Sequence, residues 1–130
     1  MDSSAVWRIQ RQPERVERWR PVLIAGAIGS CEPQRAEFRR SARNADEFTQ
    51  MNQMFTEVYP DVPVPKRVWQ WIDSAQYRLA AAGAARALSV VDLLVCATAA
   101  TQGLVVLHDD ADYELAARHL PDVRAQRIVD

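Results

Sequence analysis

Between residues 46 and 59 the apolar positions Phe48, Met51, Met54, Phe55 and Val58 recur at the three-and-four spacing of one helical face. The same spacing returns over 66–82, where Val68, Trp69, Ile72, Ala75 and Leu79 point one way and Gln70, Asp73, Gln76 and Arg78 the other. A weaker stripe over 15–25 (Val16, Trp19, Val22, Leu23) contains Pro21, which predicts a kink or a break, since proline lacks the amide hydrogen that a helix interior uses. Residues 3–7 read as a short semi-apolar stretch, and 10–14 as a loop leading into that helix. Pro33 suits the first turn of another helix through 34–42, and the spaced prolines of 60–65 predict an extended linker.

The pattern changes over 89–113, around which the rest is organised. Ser89 with Asp92 three residues on is a capping-box-like start, and Leu93, Val95, Cys96, Ala97 and Ala99 make the following helix apolar almost all round, as a buried helix is. Gly103 stops it. Leu104 to Leu107 is too short for a helix and shows no alternation, so it reads as a parallel strand buried on both faces. Small residues at 27–31 predict another short strand, 114–119 a short helix and 127–129 a last strand. This alternation predicts an α/β fold, a three-layer α/β/α sandwich with a mostly parallel central sheet.

Composition narrows this further. A chain of 130 residues suits one domain spanning 1–130, and 48% hydrophobic with 25% charged residues is a globular balance. No apolar run approaches the roughly 18 residues that a membrane span needs, and the N-terminus lacks a basic-then-apolar pattern, so a cytoplasmic protein is expected. Cys31 and Cys96 have no CxxC spacing and read as buried reduced thiols rather than zinc ligands. The net charge of −1 hides two arginine groups, Arg8, Arg11, Arg15, Arg18 and Arg20, then Arg35, Arg39, Arg40 and Arg43. Guanidinium forks suit phosphate oxygens, although solvated helix faces carry such charge too.

The candidate chemistry is acidic. In open α/β sheets the ligand site lies beyond the carboxyl ends of the strands, where Asp110 and Asp112 fall. Asp2, Glu37 and Asp92 sit at strand ends or helix starts on the same predicted edge. Each alone reads as a cap or a surface residue. Crowded together they repel, and a hard divalent cation with oxygen ligands, Mg2+ or Mn2+, is what offsets such repulsion. An ion of this kind activates water and stabilises charge on phosphate oxygens, which is phosphodiester hydrolysis. Ser3 and Ser4 are candidate donors to Asp2. His108, at the end of a buried strand, reads as a packed residue before it reads as a base.

Four segments in order carry a resemblance: Asp2-Ser3-Ser4-Ala5-Val6-Trp7-Arg8; Cys31-Glu32-Pro33 through Glu37 to Arg43; Asp92-Leu-Leu-Val-Cys-Ala-Thr-Ala; and Leu107-His108-Asp109-Asp110-Ala111-Asp112-Tyr113. Together they resemble the PIN-domain ribonucleases, specifically toxins of the VapC type from bacterial toxin–antitoxin pairs. The resemblance implies a magnesium-dependent endoribonuclease, commonly a homodimer, held inactive by a cognate antitoxin protein. By match it makes Asp2, Glu37, Asp92 and Asp110 the catalytic metal-binding quartet, with Asp112 an accessory metal ligand. In that family the first aspartate ends a central strand, which needs about five residues, and here only Met1 precedes Asp2. Either further codons lie upstream, or Asp2 sits on a frayed end and binds metal poorly. The second case would leave a catalytically impaired module that binds RNA or an antitoxin without cleaving. A phosphoacceptor domain is disfavoured, because such domains pair their acids with a late lysine and Lys66 is the one lysine here.

Overall fold

The computed structural model describes residues 1–128. Seven helices and two strands follow one another: α1 (Ser3–Arg11), α2 (Pro13–Ile24), α3 (Glu32–Arg39), α4 (Ala45–Val58), α5 (Val68–Ala81), α6 (Val90–Thr101), β1 (Val105–His108), α7 (Ala111–His119) and β2 (Arg124–Arg127) among the described residues. β1 and β2 pair in parallel, with Val105 opposite Arg124 and His108 opposite Arg127.

Successive side chains of a strand point to opposite faces, and β1 uses this to divide the interior into two cores. Val106 packs with Leu79, Leu93, Cys96 and Tyr113 of α5, α6 and α7. Leu107 packs with Val6, Ile9, Phe38 and Phe55 of α1, α3 and α4. Helices therefore cover the parallel pair on both sides, as the α/β reading expects. An aromatic ladder knits the second core, with Trp7 stacked on Phe38 at 4.5 Å and Phe38 edge-on to Phe55 at 5.4 Å between centroids. Burying each such side chain contributes about 1.5–3 kcal/mol. Both cysteines are buried and unpaired.

Several elements depart from the sequence reading. Residues 3–11 form a full helix where a short stretch and a loop are expected; Asp2 caps it, and Ala5, Val6 and Ile9 bury one side of it. Pro21 does not break α2, which runs on to Ile24. That helix buries no residue completely, so the proline ring and the missing amide are accommodated at the surface. The strand expected at 27–31 is reduced to one parallel bridge, Ser30 to Asp61. β1 begins one residue later than expected, α7 begins at Ala111 rather than 114, and the last strand lies at 124–127. Part of the strand expected at 127–129 lies outside the described residues. No helix among the described residues is long and apolar enough to cross a membrane.

The chain start is tucked against the sheet. The Met1 amino group donates to Gly29 O at 3.1 Å and the Asp2 amide to Leu107 O at 2.8 Å, so the two residues lie between the 27–30 segment and β1. Burial lowers the pKa of that amino group below its ordinary value. A mostly apolar cleft of about 360 Å³, lined among others by Ile28, Val62, Val95 and Val105, continues along the same edge of β1.

Candidate active site

Three helix starts and the end of one strand meet around Asp2. The residue is only 4% exposed. Oδ2 accepts the Ser4 amide at 3.0 Å and the Ser4 hydroxyl at 2.6 Å, which is how the residue caps α1. The Asp109 amide in turn donates to Ser4 Oγ at 2.9 Å, coupling the end of β1 to the acid through one hydroxyl. Of the two alternatives raised for Asp2, the frayed end does not hold in this structure, where the aspartate is buried and clamped. Ser3 serves otherwise than expected, since its hydroxyl lies 3.1 Å from the Gln34 side-chain amide that donates to it.

Asp92 stands on the first turn of α6, whose capping box with Ser89 is complete as the sequence suggests. Its Oδ2 accepts the Ser89 amide at 3.2 Å, while Oδ1 faces the hydroxyl of Tyr113 at 3.0 Å. The same hydroxyl lies 2.6 Å from Asp2 Oδ1. A phenol has one proton, so it donates to Asp2 across the shorter contact, and the second contact becomes a hydrogen bond when Asp92 holds a proton. Burial, partly offset by the Ser89 amide and with the charge of Asp2 added, raises the Asp92 pKa above the ordinary carboxylate range.

Glu37, on the last turns of α3, completes the acidic group. Its pKa is raised first by burial, then by the negative charges of Asp2 and Asp92, which puts all three carboxylates within one another's field. Asp110 lies beside them rather than among them: it caps α7, with Oδ1 accepting the Asp112 amide at 2.9 Å. Asp112 is exposed, and the pKa of its carboxyl is raised by desolvation and by Asp110. The five sequence-predicted acids thus divide into an inner group of Asp2, Glu37 and Asp92 and an outer pair of Asp110 and Asp112.

His108 is fully buried, with its ring 5.4 Å from that of Tyr113. Its Nδ1 accepts the Asp110 amide at 3.1 Å, and burial together with the Arg127 charge lowers its pKa, so the ring is a neutral packing element as the sequence suggests. Asp109 faces away from the acids and binds the guanidinium groups of Arg8 and Arg127. Tyr113 escapes the sequence reading, which treats it as the end of a motif. The available signal is its position at the third residue of a helix that starts beside two acids.

Every donor in this group is a carboxylate or hydroxyl oxygen, the set that a hard dication prefers. Burial raises two of the inner acids, so a cation would relieve both desolvation and mutual repulsion. The residues fit a divalent metal in chemistry. As they stand, with Asp2 and Asp92 turned onto Tyr113, no three acidic, histidine or cysteine side chains among the described residues converge closely enough to hold one.

Helices packed on both faces of a parallel strand pair, with acids gathered at the strand end, define an α/β protein with an acidic oxygen-donor site. The PIN domain family matches residues 1–119. Ribonuclease VapC6 of Mycobacterium tuberculosis (strain H37Rv) is 79% identical over 103 residues, covering 79% of this chain and 81% of the relative. Ribonuclease VapC21 of the same strain is 28% identical over 117 residues, 90% of this chain and 84% of the relative. A solved structure of a VapBC-family toxin–antitoxin member, VapBC-5 from Mycobacterium tuberculosis, superposes with a TM-score of 0.60 at 23% identity, covering 76% of this chain and 80% of that chain. The chain belongs to the PIN-domain family, among its VapC-type ribonucleases.

Proposed function

We propose that this chain is the toxin of a type II toxin–antitoxin pair, an Mg2+-dependent endoribonuclease whose one PIN-like domain hydrolyses RNA phosphodiester bonds. The observation that carries the reading is the meeting of Asp2 and Asp92 at the Tyr113 hydroxyl, 2.6 and 3.0 Å away, with Glu37 near enough that burial and then both their charges raise its pKa. Asp2, Glu37, Asp92 and Asp110 would hold the ion, with Asp112 accessory and Mn2+ an acceptable substitute. When bound, the ion would supply a polarised water and offset charge developing on the scissile phosphate. The chain's own part is to hold Asp2 through Ser4 and Tyr113 and to carry Glu37 half-buried on α3. That carboxylate, raised by burial, accepts a proton from attacking water more readily than an exposed one does.

Surface features beside the acids support RNA as the substrate. A hollow of about 450 Å³ next to Ser4 is lined by Trp7, Arg8, Arg11, Gln12 and Asp109, with the Arg11 guanidinium 4.8 Å from the Trp7 ring centroid. Of the second arginine group, Arg35, Arg39 and Arg43 form ion pairs with Glu32, Asp61 or Glu47. Among the described residues Arg40 makes no such pair, and it stands near enough to Glu37 to lower that acid's pKa slightly. Arg11 and Arg40 are thus the cations best disposed toward phosphates on either side of the acids. A cognate antitoxin and a homodimer complete the reading, on the strength of the family.

The test is cleavage of a mixed RNA pool by the purified chain with Mg2+, with EDTA, and as Asp92→Asn. Cleavage that needs the metal and is lost in Asp92→Asn supports the reading. Metal-independent cleavage overturns the metal-dependent mechanism, and no cleavage under any condition overturns the reading in favour of a module that binds RNA or an antitoxin.

A further inference from the structure

We infer that Tyr113 is a positioning residue for the acidic site, its buried hydroxyl meeting the carboxylates of both Asp2 and Asp92 and setting the direction in which each turns. The inference rests on the proposed metal-dependent reading and adds to it a residue outside the acidic quartet.

A buried phenol needs only one acceptor to satisfy its proton. Tyr113 is fully buried, and it meets two carboxylates, Asp2 Oδ1 at 2.6 Å and Asp92 Oδ1 at 3.0 Å. The two acids stand 90 positions apart in sequence, one capping α1 and the other on the first turn of α6. Without a shared partner they would turn apart, since like charges in a poorly solvated site repel. With it, both Oδ1 atoms face one hydroxyl, at 2.6 and 3.0 Å.

The remaining contacts leave room for a ligand. Asp2 Oδ2 is filled by both the amide and the hydroxyl of Ser4, so the free lone pair of this residue is on Oδ1, beside Tyr113. Asp92 keeps one lone pair on Oδ2 next to the Ser89 amide. The tyrosine ring cannot drift, because it is wedged against His108 and packs among Leu93 and Cys96 in the first core. A rigid ring carrying a hydroxyl between two acids is how an outer group orients metal-binding carboxylates.

The experiment titrates Mn2+ by calorimetry and by the loss of its free paramagnetic signal, using the chain, Tyr113→Phe, and Tyr59→Phe as a control that removes a buried phenol elsewhere. Cleavage is measured on the same three proteins across metal and RNA concentrations. The expected result is a loss of about tenfold in Mn2+ affinity for Tyr113→Phe alone. Its kcat should fall at limiting metal and recover at saturating metal, with KM for RNA unchanged. Equal Mn2+ affinity in Tyr113→Phe and the parent overturns the inference, whatever happens to thermal stability. Absence of Mn2+ binding by the parent overturns the metal-dependent reading beneath it. Should Tyr113→Phe not fold, a ring-fluorinated tyrosine at 113 keeps the hydroxyl while changing its strength as a donor. A shifted Mn2+ affinity then supports the inference, and an unshifted one overturns it.

Discussion

The Ser4 hydroxyl donates to Asp2 Oδ2 at 2.6 Å, two residues along the same helix start. Because that hydroxyl also receives the Asp109 amide at 2.9 Å, the position of Asp2 depends on the end of β1 as well as on its own helix. Ser4→Ala should leave Asp2 Oδ2 with the amide of residue 4 alone, while Oδ1 keeps the Tyr113 hydroxyl. The expected outcome is a loss of about 1 kcal/mol of stability, the usual effect of a lost hydrogen bond. Metal affinity should drop about tenfold or more, as when other outer-shell donors are removed. Thermal unfolding with and without Mn2+ separates the two effects.

Asp92→Asn removes one charge from a group that repels itself. Without metal, the variant should be as stable as the parent or more so, since the burial and the Asp2 charge that raise Asp92 act only on its ionised form. With metal, the parent should be stabilised and the variant much less so, because ligand binding to the native state adds stability in proportion to affinity. Denaturant melts at matched Mg2+ concentrations measure this crossing. A variant less stable than the parent in EDTA would mean that Asp92 is structural.

The pH dependence follows from the direction of the shifts. Glu37 and Asp92 both titrate above the ordinary carboxylate range in the folded chain. A raised folded pKa means that the native state binds more protons than the unfolded state between the two values, so stability from these groups is complete below the unfolded pKa. It is lost as pH rises through the folded one. The metal-free protein should therefore lose stability as pH climbs out of the acidic range toward neutrality, apart from other groups. Protons compete with cations for the same oxygens, so Mn2+ affinity should rise over that interval. Calorimetric titrations at a series of pH values test both slopes.

Arg11 and Arg40 flank the acids without an acidic partner of their own among the described residues, which leaves their charge available to RNA. Replacing either with alanine should weaken RNA binding and lower the slope of log affinity against log salt by about 0.7 for single-stranded RNA. Arg35→Ala should leave that slope unchanged, since Arg35 is already engaged by Glu32 and Asp61. The comparison is best made on Asp92→Asn, in which cleavage does not consume the RNA.

The parts of this chain that were legible in sequence have a period or a cap long enough to register. α4, α5 and α6 each span three turns or more, and the Ser89–Asp92 box announces its own geometry. α1 has nine residues and buries only Ser3, Ala5, Val6 and Ile9, too few to display a period against Trp7 and the arginines. The 27–31 segment has the composition of a strand, yet one residue of it pairs, a matter of long-range register that composition does not record. At the site, the choice of candidate acids rests on motif order, whereas the division into inner and outer acids depends on which way each side chain turns. Tyr113 was hidden for the same reason, because nothing in a list of residues shows that its hydroxyl ends between two carboxylates.

Gly29 tests how tightly the one-bridge segment sits against its neighbour. A methyl group there would collide with Val62 Cγ2 and lie 3.1 Å from Pro60 O. Residue 30 is tied on this side by two backbone hydrogen bonds, Ser30 N to Pro60 O at 3.0 Å and Val62 N to Ser30 O at 2.9 Å. The segment cannot retreat without breaking them, and Val62 can give way only by rotating toward the cleft beside β1. Gly29→Ala should therefore destabilise the chain by about 1–3 kcal/mol, the range for overpacking. The effect should extend to the site, because Gly29 O receives the Met1 amino group and Met1 leads directly into Asp2. Gly29→Ala with Val62→Ala removes the colliding methyl. If stability and Mn2+ affinity recover together in the double variant, the segment positions Asp2. Recovery of stability alone would confine its role to packing.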